Sequence, residues 1–149
     1  MMRIGLIAMS GVRAESAELL AVGLTMPGVV ERSKVVASLP SLSLLTLAGM
    51  TPEDIEVTYH EIQDFAGLSA LPDTFDLVAI TSLTAQIDEA YQVADAYRLR
   101  GAKVVMGGLH VRSLPDEALE HCDAVAIGEG EMLWPRMIND FRNGKLAAL

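Results

Sequence analysis

Unbroken apolar runs of strand length recur along this chain: 3–9 (RIGLIAM), 75–80 (FDLVAI), 103–106 (KVVM) and 123–127 (DAVAI). A strand with one face in water alternates apolar and polar residues, whereas a continuous run suits a strand covered on both faces. The pattern calls for a mostly parallel sheet between two layers of helices. Residues 55–62 (IEVTYHEI), rich in β-branched side chains and partly alternating, supply a further strand.

Amphipathic stretches fill the gaps. Ile87, Ala90, Tyr91, Ala94 and Tyr97 share one face of a helix over about 85–100, which Gly101 ends. Pro115-Asp116-Glu117 opens another, with proline in the first turn and acids at the positive end of the dipole. A third runs over 132–142, and 15–24 and 42–48 are helical candidates in the N-terminal third. Strand–helix alternation with right-handed crossovers gives a three-layer, doubly wound α/β fold. Its expected form is a Rossmann-like, flavodoxin-like sheet of five parallel strands in the order 2-1-3-4-5. With 149 residues and no Pro/Gly/Ser linker, the chain reads as a single domain over 1–149.

Composition narrows the function classes. At 51% apolar and 21% charged the chain is not a disordered one. Eleven basic against 20 acidic residues give a net charge of −9, which argues against nucleic acid as a partner. Cys122 is the only cysteine, so a disulfide within the chain and any thiolate-built zinc or iron–sulfur site are excluded. No stretch approaches the roughly 20 apolar residues of a membrane span. The N-terminal run is broken at Ser10 to Arg13, too early for a signal peptide, and the expected location is the cytoplasm.

In such a sheet ligands bind beyond the carboxyl ends of the strands, near the reversal of strand order. The loops there are Ser10-Gly11-Val12-Arg13, Thr81-Ser82-Leu83-Thr84, Gly107-Gly108-Leu109-His110 and Gly128-Glu129-Gly130-Glu131. Two are glycine-rich, which lets a ligand approach the backbone closely, although tight turns use glycine as well. The usual occupants do not fit. No G-x-G-x-x-G follows the first strand, no P-loop is present, and the paired acids of a phospho-receiver are missing. Glu129 and Glu131 suit either acid–base work or the N-terminal dipole of the last helix. Trp134 and the methionines read as core. Cys122 reads as a small buried hydrophobe rather than a nucleophile paired with His121.

Several segments together resemble the cobalamin-binding domain of radical S-adenosylmethionine proteins. They are 75–84 (FDLVAITSLT), the helix over 90–100, 101–110 (GAKVVMGGLH), 114–119 (LPDEAL) and 123–131 (DAVAIGEGE). Upstream, 39–48 (LPSLSLLTLA) is similar to that family's proline-led helix before the second strand. The resemblance spans about 39–144. It implies cobalamin as cofactor, lying across the strand ends with its nucleotide tail inserted along the sheet. The residues it implies are Ser10, Gly11, Val12, Ser82, Leu83, Thr84, Gly107, Gly108, His110, Gly128, Glu129, Gly130 and Glu131. Ser82 and Thr84 would offer hydroxyls to the tail, Gly107 and Gly108 close approach, and 128–131 a flank for the ring. His110 is expected to hydrogen-bond within its loop rather than to ligate cobalt.

Two departures refine this. The cobalamin signature D-x-H-x-x-G is absent, since 10–15 reads SGVRAE; the resemblance therefore implies base-off cobalamin with no histidine ligand. The family's C-x-x-x-C-x-x-C is absent too. The chain is thus expected to be the N-terminal part of a longer protein and not catalytic alone. The downstream radical domain would carry the iron–sulfur cluster and S-adenosylmethionine, for methyl transfer or related radical chemistry. The alternatives are a degenerate, non-binding α/β domain used for packing or as a homodimer, and a stand-alone enzyme built on Glu129, Glu131 or His110.

Overall fold

The computed structural model describes residues 1–9, 40–63 and 65–147. In chain order these form β1 (Arg3–Met9), α1 (Leu42–Met50), β2 (Glu56–Ile62), β3 (Leu77–Thr81), a 3-10 turn (Thr84–Gln86) and α2 (Ile87–Leu99). Then come β4 (Lys103–Gly107), α3 (Leu109–Ser113), α4 (Pro115–His121), β5 (Ala124–Ala126) and α5 (Gly130–Arg142). All strand pairs are parallel, and the order is β2-β1-β3-β4-β5, as the sequence predicts. The order reverses at β1, so the β1 and β3 ends flank the switch point. The helix expected over 15–24 lies outside the described residues. Among the described residues, no helix is long and apolar enough to cross a membrane.

Both faces of the central strands are buried, which is why their apolar runs do not alternate. On one face Ile7, Val78, Ile80, Val104, Met106 and Val125 pack against α2 and α4. On the other, Ile4, Leu6, Leu77, Val105 and Ala124 pack against α1 and α5 through Leu44, Trp134 and Ile138. Trp134 is core, as expected, and its indole N–H donates to the Thr51 hydroxyl at 2.8 Å.

Several bounds differ from expectation by a residue or two, α1 running on to Met50 and α5 beginning at Gly130 among them, and three further differences show local structure. The long helix begins with a 3-10 turn because Gln86 N–H bonds back to the Leu83 carbonyl. A five-residue helix, α3, fills the loop after β4, its first N–H groups following Gly108. Phe75 and Asp76 precede β3, although the Asp76 N–H donates to the Arg3 carbonyl and its carbonyl accepts from the Lys103 N–H, and the Phe75 ring packs against Gly5 of β1. A Cβ built on Gly5 would sit 2.5 Å from that ring. The Arg3 guanidinium lies 5.6 Å from the centroid of the same ring and is held by Asp73 at 2.6 Å. Phe75 thus closes the amino edge of the sheet, opposite to where a ligand is expected.

Candidate functional site

The residues on the α1/α5 face shrink toward the carboxyl ends of the strands. β3 ends in Ala79 and Thr81, β4 in Gly107, and β5 in Ala126, while the opposite face keeps Ile80, Met106 and Val125. The missing side-chain volume leaves a cavity of about 280 Å³ between the sheet and the two helices. Leu44 and Leu47 of α1, with Leu133, Trp134 and Met137 of α5, form its apolar roof. Thr81 and Ser43 add hydroxyls. Whole-ligand pockets typically run to roughly 300–1,000 Å³, so this space suits a ring-sized appendage rather than a macrocycle.

The two glycine loops close its mouth: Gly107, Gly108, Gly128, Glu129, Gly130 and Glu131 all line it. Gly108 and Gly128 have φ of 111° and 132°, conformations that side chains oppose. At Gly108 a Cβ would also lie 3.1 Å from both the Ser82 carbonyl oxygen and the Thr81 hydroxyl. Gly130 lets α5 approach α1, where a Cβ would meet Leu47 at 3.3 Å. Gly107 is different: its φ is ordinary, and a Cβ would meet nothing closer than Ala126 Cβ at 3.5 Å. The fold itself does not require glycine there. Glu129 is the N-cap residue of α5 without a side-chain cap bond, and Glu131 stands in its first turn. Both carboxylates are exposed at the rim.

Ser82, Leu83, Thr84 and His110 do not line the cavity but form the neighbouring edge, on the α2 side. Ser82 is buried and its hydroxyl donates to the Leu83 carbonyl at 3.0 Å, while Leu83 is half exposed. His110 is 8% exposed, with Nδ1 3.2 Å from Thr84 Oγ1 and Nε2 3.1 Å from Glu117 Oε1. Glu117 Oε1 also accepts from the Tyr91 hydroxyl at 2.8 Å. The bonds from His110 and then Tyr91 hold the Glu117 carboxyl below its usual range. Burial, then Glu117, pushes the Tyr91 hydroxyl well above its own. The other two histidines are elsewhere. His60 lies within β2, and His121 stacks on Tyr91 at 4.2 Å and pairs with Asp95 at 2.8 Å. Ser10, Gly11 and Val12 lie outside the described residues.

Cys122 is 3% exposed, and burial pushes its thiol up to about 11. A thiol in that state is nearly all protonated at neutral pH and should be inert. The native chain is expected to take up no Ellman's reagent over an hour at pH 8 and one equivalent in guanidinium chloride; fast native labelling would contradict this burial.

Reading the sequence alone passed over Ala79, Ala126, Leu44, Leu47 and Met137 as site residues. The available signal was the alternation of small and large residues at the ends of 77–81, 103–107 and 124–126.

Residues 28–136, most of the chain, match the family model described as the B12 binding domain. Among curated proteins, the chain is 34% identical over 110 residues to bacteriochlorophyllide d C-8(2)-methyltransferase of Chlorobaculum tepidum, covering 70% of this chain and 23% of that protein. It is 34% identical over 115 residues to the C-12(1)-methyltransferase of the same organism, covering 72% and 24%. An uncharacterized methyltransferase of Pyrococcus horikoshii is 32% identical over 117 residues, covering 71% and 26%. The chain spans about a quarter of the length of these relatives. No solved structure matches it significantly. By the extent of the family match and the cavity its strand ends leave, the chain belongs to the B12-binding domain family.

Proposed function

We propose that the chain holds cobalamin base-off across the carboxyl edge of its sheet, with the nucleotide tail in the cavity beneath α1 and α5. The observation that carries this is Gly107, a glycine that neither backbone conformation nor a neighbouring atom demands, facing an apolar cavity. Leu44, Leu47, Trp134 and Met137 would cover the flat base of the tail. Glu129 and Glu131 would accept N–H donors from the carboxamides around the corrin. The absence of a histidine ligand is supported by where the three histidines sit. His110 has both ring nitrogens engaged, His121 is paired with Asp95, and His60 lies within β2 with its Nε2 buried.

Bound cobalamin supplies a cobalt centre able to carry a methyl group. The proposed partner is a radical S-adenosylmethionine domain in cis, with its iron–sulfur cluster, working in methyl transfer or related radical chemistry. Support comes from the sequence resemblance and from relatives named methyltransferases, of which this chain corresponds to about a quarter. The test is a titration of the purified chain with hydroxocobalamin followed by desalting. Retained cofactor with a base-off absorption spectrum is expected. Retention with a base-on spectrum overturns the base-off state, a histidine-ligated spectrum overturns the absence of a histidine ligand, and loss of the cofactor on desalting overturns the binding role.

A second reading, a domain used for packing or dimerisation, is favoured by α1. Leu42 and Leu45 are 79% and 41% exposed on a helix without a charged residue. It predicts a concentration-dependent dimer by sedimentation and no bound corrinoid.

A further inference from the structure

We propose that the Thr84 hydroxyl is held as a hydrogen-bond acceptor at the carboxyl edge by a neutral His110 whose tautomer Glu117 sets, and that this selects a ligand carboxamide over a carboxylate there. The inference rests on the cobalamin reading above and adds to it a specificity-determining group and two positioning residues.

The polarity follows along the chain of bonds. An ionised carboxylate only accepts, so the 3.1 Å contact with Glu117 requires the hydrogen on His110 Nε2. A neutral ring then presents a bare Nδ1 to Thr84 at 3.2 Å, and the Thr84 hydroxyl must donate to it. Its single hydrogen is consumed there. What Thr84 offers outward is a lone pair, and Thr84 is exposed where a ligand across the strand ends would meet it. Tyr91, donating to the same Glu117 oxygen at 2.8 Å, reinforces the carboxylate as acceptor. The lowered pKa of Glu117 agrees with an ionised group. One nearly buried histidine thus joins the β3 loop, α3, α4 and α2, and fixes which way a surface hydroxyl points. A primary amide has an N–H to give to that lone pair, whereas a carboxylate has none and would face it with like polarity.

The test has two readouts on the full chain. Long-range nitrogen–proton NMR at pH 8 reads the His110 tautomer without ligand: the Nε2–H form is expected, and an Nδ1–H or doubly protonated ring overturns the proposal. In Glu117→Leu nothing at position 117 accepts from Nε2, so the ring should lose its Nε2–H preference and populate Nδ1–H; an unchanged tautomer overturns the role of Glu117.

Binding is then compared for cobalamin and for the cobalamin monocarboxylates, in each of which one peripheral carboxamide is hydrolysed. The wild type is expected to bind at least one monocarboxylate about tenfold or more weaker than it binds cobalamin, the scale of one unmatched hydrogen bond. Thr84→Val should lose that preference, Thr84→Ser should keep it, and Glu117→Leu should narrow it. Comparison with Thr84→Val cancels the general repulsion of a carboxylate by a chain of charge −9. Equal preference in wild type and Thr84→Val overturns the selection while leaving cobalamin binding intact. Binding of no corrinoid by the wild type overturns the cobalamin reading and the selection with it.

Discussion

Gly107→Val is expected to abolish retention of cobalamin, weakening binding by at least about 100-fold, while leaving the chain folded. The two halves of this expectation have separate causes. Gly107 ends β4 with ordinary backbone dihedrals, and a Cβ there meets only Ala126 at 3.5 Å. A β-branched residue suits a strand, and removing a strand glycine is worth about 0.5–1 kcal/mol through the unfolded chain. Stability should therefore hold or rise slightly. The added methyls, however, enter the mouth of the cavity between Thr81 and Ala126, where the proposed tail must pass. Thermal unfolding and a cobalamin titration on the same variant check both halves. A variant that unfolds would mean that glycine serves the fold, and a variant that binds normally would mean that the cavity is not the tail site.

The largest stability effect is expected at the other end of the sheet. Glycine-to-alanine changes in strands ordinarily stabilise, yet Gly5→Ala should destabilise by about 2–3 kcal/mol, an overpacking cost. Its Cβ would sit 2.5 Å from the Phe75 ring, which is 8% exposed and hemmed in by Arg3, His60 and Tyr97. For a chain of this size that corresponds to a fall in Tm of roughly 5–10 °C. Phe75→Leu removes the obstacle. The double variant should therefore recover at least about 1 kcal/mol relative to the sum of the singles. A Gly5→Ala chain as stable as the wild type, or a strictly additive pair, would contradict the packing of Phe75 over β1.

Both sites bear on what a sequence discloses. The sheet order was legible because continuous runs such as 75–80 and 103–106 suit burial on two faces, and because crossovers have one hand. Phe75 and Asp76 were read into β3 because their composition resembles a strand; Asp76 bonds through its backbone to both neighbouring strands, but β3 itself begins at Leu77, and the Phe75 ring packs on a residue 70 positions earlier. The candidate site was legible only at its glycine loops, where 107–108 and 128–131 follow strands. Its roof was not, since Leu44, Leu47 and Met137 are ordinary apolar residues until α1 and α5 are brought over the same strand ends. His110 shows the same limit. Its partners Thr84 and Glu117 lie 26 residues before and seven after it, a pairing that local spacing does not disclose.

The central claim, that this chain holds cobalamin by its tail beneath α1 and α5, is tested most directly by titrating it in parallel with hydroxocobalamin and with cobinamide, which lacks the nucleotide. If the tail fills the cavity, hydroxocobalamin survives desalting and cobinamide binds at least about 30-fold more weakly, the loss of roughly 2 kcal/mol of apolar burial. Equal affinity for the two, or release of both on desalting, would contradict it.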